Sequence, residues 1–149
     1  MLHSIRVGDY MATQLVCVTP GMTIDQAIKV LLNHRISGAP VIENGELLGM
    51  FSESDCLAEI IQAGYYESNA GLVSDVMRAP VDTIHVDESI LRAAEVFQRE
   101  HRRRLPVVND LGVVIGQISR RDILRAMDDL THQSLAAHHA VTHMGELGS

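Results

Sequence analysis

The chain has 149 residues, 46% apolar and 21% charged, which is enough apolar surface for one domain or two small ones sharing a core and too little polarity for disorder. Aromatic residues are only 3%, Trp is absent and the formal net charge is −7, so neither a stacking platform for single strands nor a general polyanion binder is expected, and nucleic acid is not an expected partner. No apolar run approaches the roughly 20 residues of a bilayer span, the first residues lack the apolar run of a signal peptide, and Cys17 and Cys56 sit among apolar neighbours without metal spacing, so both are expected as buried thiols in a reducing, cytoplasmic setting.

The predicted elements come twice. Val7-Gly8-Asp9-Tyr10-Met11 returns 66 residues later as Val73-Ser74-Asp75-Val76-Met77. Residues 5–62 form the first unit, 63–72 a linker, 73–130 the second unit and 131–149 a tail outside the repeat. In the first unit a β-prone segment, Leu15 to Val18, precedes an amphipathic helix with the stripe Ile24, Ala27, Ile28, Leu31 and Leu32. Thr23 and Gln26 have capping-box spacing at its start. A strand opens at Pro40, where proline is tolerated. Asn44-Gly45 then signals a type I′ hairpin turn, because both central residues must accept φ > 0. The returning strand runs from Leu47 to Phe51, and a closing helix starts near Ser52.

The second unit repeats this order. Thr83 to Val86 is the β-prone segment, Ile90, Ala93, Ala94 and Phe97 the helical stripe behind the cap Ser89, and Pro106 to Val108 and Val113 to Ile118 the hairpin strands. One extra residue in this turn moves the offset to 67, so that Gly49, Ser52 and Asp55 meet Gly116, Ser119 and Asp122. The fold class is therefore α/β of the α+β kind: two β-α-β-β-α repeats packed sheet to sheet about a pseudo-two-fold axis. The helices after the turns, Cys56 to Ile61 and Ile123 to Met127, carry more apolar residues than one packed face requires, which predicts a homodimer interface. The tail is expected as a loose or partner-docked helix with a frayed end.

The informative motif is Gly-x-x-Ser-x-x-Asp, present as Gly49 to Asp55 and as Gly116 to Asp122, each where a strand enters a helix. One reading is a plain helix cap with an acidic third residue, worth about 1 kcal/mol. The other is a nucleotide cradle. Free N–H groups and the Ser hydroxyl would meet a phosphate, the carboxylate would accept from two ribose hydroxyls, and the Gly would let a ligand approach the backbone. Two copies in register add weight to the cradle, but motif and spacing alone do not raise it above the plain cap. Of the 12 basic residues all but Lys29 are Arg, with runs at 102–104 and 120–121 that suit either a solvated helix end or bidentate phosphate recognition. His139 and His143 stand one helical turn apart, but no carboxylate or Cys completes a metal set, and no metal is expected. No nucleophile–base–orienter set stands out, and no enzyme is expected.

Asp9-x-Met11 and Asp75-x-Met77, the Pro-Val strands, Arg104-Leu105-Pro106-Val107 and both Gly-x-x-Ser-x-x-Asp turns together resemble the tandem CBS (cystathionine-β-synthase) domain pair, or Bateman module, over about residues 5–127. The resemblance implies a stand-alone regulatory, energy-sensing module with no catalytic role and no required cofactor. Its regulatory ligand would be an adenosine-containing molecule (AMP, ADP, ATP, S-adenosylmethionine or NAD) held in clefts between the repeats. It would signal through conformation or association to an unidentified regulated protein. A dimerisation scaffold with non-binding clefts is the alternative.

Carried over by residue, the resemblance implies a cleft A with Ser52 on phosphate and Asp55 on ribose. Across the cleft, backbone and side chains near Met77, Thr83, Ile84 and Leu105 would flank the base, and Arg103, Arg104 and Arg121 would lie within reach of phosphate. Cleft B would use Ser119 and Asp122, share Arg104, and have an apolar wall of Met11, Val16, Val18, Ile36, Ser37 and Ala39. The first repeat has Ser37-Gly38-Ala39-Pro40 where the second has Arg103-Arg104-Leu105-Pro106, which leaves cleft B poorer in cations.

Overall fold

Each repeat is built on a short antiparallel ribbon. A computed structural model of the protein describes residues 4–63 and 71–147, with side chains for 4–62 and 71–133. In the first repeat β1 (Gly38–Glu43) pairs with β2 (Glu46–Ser52), Pro40 opposite Met50. Asn44 and Gly45 take φ of 53° and 80°, as the Asn-Gly turn predicts. The second ribbon pairs β4 (Arg104–Val108) with β5 (Val114–Ser119), and β3 (Ile84–His85) adds to it in parallel. The expected first strand, Leu15 to Val18, shrinks to one parallel bridge between Val18 and Val41. Only Val18 enters the core. Leu15 and Val16 face a cavity between the repeats instead.

The helices follow their stripes and caps. In α2 (Ile24–His34) Ile24, Ala27 and Leu31 are buried, and Thr23 and Gln26 exchange side-chain-to-backbone bonds of 3.1 Å. Leu32, at the edge of the predicted stripe, is 71% exposed. In α5 (Ile90–Glu100) the Ser89 hydroxyl accepts from Arg92 N at 3.0 Å. Arg35 and His101 end these helices in the left-handed region, with φ of 53° and 52°. The closing helices are α3 (Glu53–Ala63) and α6 (Arg120–Leu147). α6 does not stop at residue 130: with no Gly or Pro between 120 and 144 to break it, it continues for 28 residues, about 42 Å. Residues 64–70 of the predicted linker and the last two of the tail lie outside the described residues.

Two short helices, α1 (Val7–Tyr10) and α4 (Val73–Val76), cross between the repeats. Val73 belongs to the core of the first repeat, with Val18, Ile24, Val41 and Phe51. Val7 belongs to the core of the second, with Ile90, Leu105, Val107 and Ile118. Backbone bonds hold each crossing: Val7 N donates to Glu88 O (2.8 Å) and Val73 N to Met22 O (2.9 Å). Beyond each short helix the chain pairs with the other repeat's hairpin, Ala12 with Gln117 and Arg78 with Met50. The two repeats are thus interlocked in an α+β fold with two small sheets.

The cysteines part company. Cys56 is buried, and burial together with the neighbouring Asp55 pushes its thiol up to about 11. Cys17 is exposed, against expectation, because its neighbour Val18 takes the inward position and side chains alternate along extended backbone. One thiol per folded chain should therefore react fast with Ellman's reagent, and Cys17→Ser should remove that phase. Two fast thiols would contradict the burial of Cys56.

Candidate functional site: an arginine-lined cleft between the repeats

Both Gly-x-x-Ser-x-x-Asp turns build the same reciprocal cap. Ser52 N and Oγ donate to Asp55 Oδ2 at 2.9 and 2.8 Å, and Asp55 N reaches Ser52 Oγ at 3.4 Å. Ser119 N and Oγ donate to Asp122 Oδ2 at 2.8 and 3.0 Å, with 3.2 Å for the return bond. The helix-cap reading therefore describes one carboxylate oxygen in each copy. The other oxygen differs in its partner. Asp55 Oδ1 accepts from Arg78 Nε (3.0 Å), an arginine of the second repeat, whereas Asp122 Oδ1 accepts from Arg125 (2.8 Å), on its own helix.

The two glycines serve a purpose the motif alone does not reveal. A Cβ on Gly49 would lie 2.8 Å from both Arg78 O and Met77 Sδ, and one on Gly116 2.6 Å from Met11 Sδ and 2.8 Å from Ala12 O. The close approach expected for a ligand is made here by the Asp-x-Met segment of the other repeat. Met77 and Met11 are thus packing residues over the glycines, and neither is among the residues lining the clefts.

A cavity of about 320 Å³ opens where Arg78 meets Asp55, within the range of small-molecule sites. The first repeat contributes Ser37, Gly38, Met50, Ser52 and Asp55; the second contributes Arg78, Pro80, Val81 and His101 to Arg104. Four arginines thus line one cavity in a chain of net charge −7. Arg102 pairs with Asp82. Arg104 spans the repeats with 3.4 Å bonds to Gly38 O and Ser37 Oγ. Arg103 is exposed, and its side chain has no ion pair among the described residues.

Of the residues expected in cleft A, Ser52, Asp55, Arg103 and Arg104 come together. Ile84 and Leu105 do not: they are 6% and 1% exposed in the core of the second repeat. The pleat explains Leu105, since Arg104 faces the cleft and its strand neighbour must face the other way. Thr83 is exposed away from the lining, and Arg121 stands exposed in the first turn of α6, also outside it. Arg78, Pro80, Val81 and His101 are not among the expected residues, and Arg102 is expected only as part of the arginine run 102–104. The signal for Arg78 lay in the repeat itself, because its counterpart at the 66-residue offset is Ala12.

Cleft B is a cavity of about 90 Å³, room for about three waters. Val16, Ile36 and Arg104 line it, with Ala12, Gln14, Leu15, Gly38 and Gln117. Val18 and Ala39 are fully buried in the first core instead, and Ser37 faces cleft A. Ser119 and Asp122 are not in its lining. Arg125, which holds Asp122, also donates to Tyr10 O (3.2 Å) and lies 6.0 Å from the Tyr10 ring centre, so that carboxylate is tied to α1. Away from both clefts His85, Asp87 and Asp110 converge, but each ring nitrogen of His85 already has a protein partner, Asp110 Oδ1 at 2.7 Å and Asp87 N at 3.1 Å. Among the described residues no helix is long and apolar enough to cross a membrane.

The CBS domain model matches residues 7–62 and 73–129. The uncharacterized protein MJ1232 of Methanocaldococcus jannaschii is 35% identical over 124 residues, which cover 83% of this chain and 40% of that protein. The CBS domain-containing protein YhcV of Bacillus subtilis is 28% identical over 138 residues, 87% of this chain and 97% of its own length. The crystal structure of CBSX2 in complex with AMP superposes with a TM-score of 0.75 at 28% identity, covering 85% of this chain and 98% of that one. With both repeats matched over most of its length, the chain belongs to the CBS domain family.

Proposed function

We propose that the protein is a regulatory module that binds one phosphate-bearing adenine nucleotide per chain in cleft A, with no reaction of its own. The observation that carries this is that Arg78, Arg102, Arg103 and Arg104 line one cavity together with Ser52 and Asp55 in an otherwise acidic chain. Arginine forks match phosphate bidentately. The binding of AMP by CBSX2 supports the same ligand class. S-adenosylmethionine fits the charge less well, because its sulfonium would enter a cationic cleft. The small volume of cleft B supports a stoichiometry of one.

Calorimetry with adenosine, AMP, ADP, ATP, S-adenosylmethionine and NAD tests the reading. Arg103→Ala should weaken AMP, ADP and ATP about tenfold while leaving adenosine nearly unchanged, and the loss should shrink in high salt as charge attraction is screened. Absence of binding by every ligand would favour the alternative, a dimerisation scaffold with silent clefts.

Signalling through association is part of the proposal. Leu57, Ile61 and Leu124 are 60%, 82% and 64% exposed on the closing helices, and a second copy of the chain would cover them. Light scattering should give twice the chain mass of 16.4 kDa at micromolar concentration. A monomer mass would remove the dimer from the proposal and leave the nucleotide site standing.

A further inference from the structure

Asp55 has a side chain only 10% exposed, and its hydrogen-bonding capacity is nearly spent. A carboxylate offers about four acceptor positions, two on each oxygen. Oδ2 uses both on Ser52 N and Oγ. Oδ1 gives one to Arg78 Nε. Two vicinal sugar hydroxyls donating to Asp55 need both positions on Oδ1, so Arg78 must leave for the sugar to bind fully. Its side chain is 68% exposed, so the guanidinium returns to solvent at small cost, while the carboxylate it leaves is met by the incoming hydroxyls. Its backbone cannot follow, because N and O are each bonded to Met50 at 2.9 Å. The released guanidinium therefore stays at the cavity that it lines.

On the reading of cleft A as a nucleotide site, we propose that Arg78 is a displaceable latch that makes the cleft select nucleotides over nucleosides. Paired with Asp55 before ligand binds, Arg78 transfers to the phosphate once the sugar takes Oδ1. A nucleoside must break the same ion pair and offers the arginine nothing in return. Asp55 belongs to the first repeat and Arg78 to the second, so the exchange also replaces a contact between repeats by contacts to ligand. Cleft B has no such device, because Asp122 is held from its own helix.

The test is calorimetry with adenosine and AMP on the parent, Arg78→Ala, Arg78→Lys and Asp55→Ala. Arg78→Ala should bind adenosine more tightly, by up to about fivefold, and AMP more weakly, by about tenfold. Arg78→Lys should recover part of the AMP affinity by keeping a cation at the cleft. Circular dichroism should be unchanged for both Arg78 variants. If Asp55→Ala leaves AMP binding untouched, cleft A is not the site and the latch falls with it. If Asp55→Ala weakens both ligands while Arg78→Ala shifts adenosine and AMP in the same direction, or neither, the site stands and the latch is overturned.

Discussion

On the proposed reading of cleft A, Asp55→Ala should weaken adenosine and AMP together by at least tenfold, because a hydrogen bond to a charged group contributes about 1.5–3 kcal/mol and the carboxylate would make such bonds to the sugar shared by both ligands. The same substitution removes the acceptor for Ser52 N and Oγ, so it should also lower stability by about 1 kcal/mol. Asp122→Ala separates the two effects. It breaks an equivalent cap at Ser119 and should lower stability by a similar amount, yet leave nucleotide affinity at the parent value. Urea unfolding and calorimetry on the pair measure this directly. Loss of binding in Asp122→Ala with full binding in Asp55→Ala would move the site to the other cleft.

Gly49→Ala and Gly116→Ala should be among the most damaging single-methyl additions, at about 1–3 kcal/mol each. Neither glycine has positive φ, so the backbone itself accepts alanine and the cost is steric. In both cases one obstructing atom is a main-chain oxygen, Arg78 O or Ala12 O, which is fixed in an inter-repeat bridge and cannot rotate away as a methionine side chain can. Gly21→Ala is the control: its new methyl meets nothing within 4 Å and should leave stability unchanged or slightly raised. Unfolding midpoints for the three variants should place Gly21→Ala beside the parent and the other two well below it. Equal midpoints for all three would mean that the Asp-x-Met segments give way more easily than their bridges imply.

Local chemistry was legible from the residues. The Thr23–Gln26 cap, the Asn44-Gly45 turn and the buried stripes of α2 and α5 are decided within a few residues of chain, and the structure carries them. The Ser-x-x-Asp turns were legible as caps for the same reason. What local pattern could not supply was the partner across the repeats. The motif suggested that Gly49 makes room for a ligand, when it makes room for Met77 and Arg78, 28 and 29 residues further along the chain. The resemblance implies a place for Leu105 beside the cleft, but alternation along the strand sends its side chain to the face opposite Arg104 and into the core. Arg78 was missed because a repeat draws attention to what its copies share, and this arginine is where they differ.

The crossing of Val7 and Val73 makes each half of the chain a fragment rather than a module. A piece ending before residue 73 retains most of its own core but lacks the fully buried valine that completes it, and a piece beginning after residue 11 lacks its valine in the same way. The duplication therefore did not leave two autonomous copies joined by a tether; each copy has handed a short piece of itself to the other. Strain at the seam cannot stay in one half, because the segments that seal the two cores run on directly into the strands' opposing bridges. In such an arrangement gene fusion can append new domains at either end, but cutting between the copies would leave two incomplete folds.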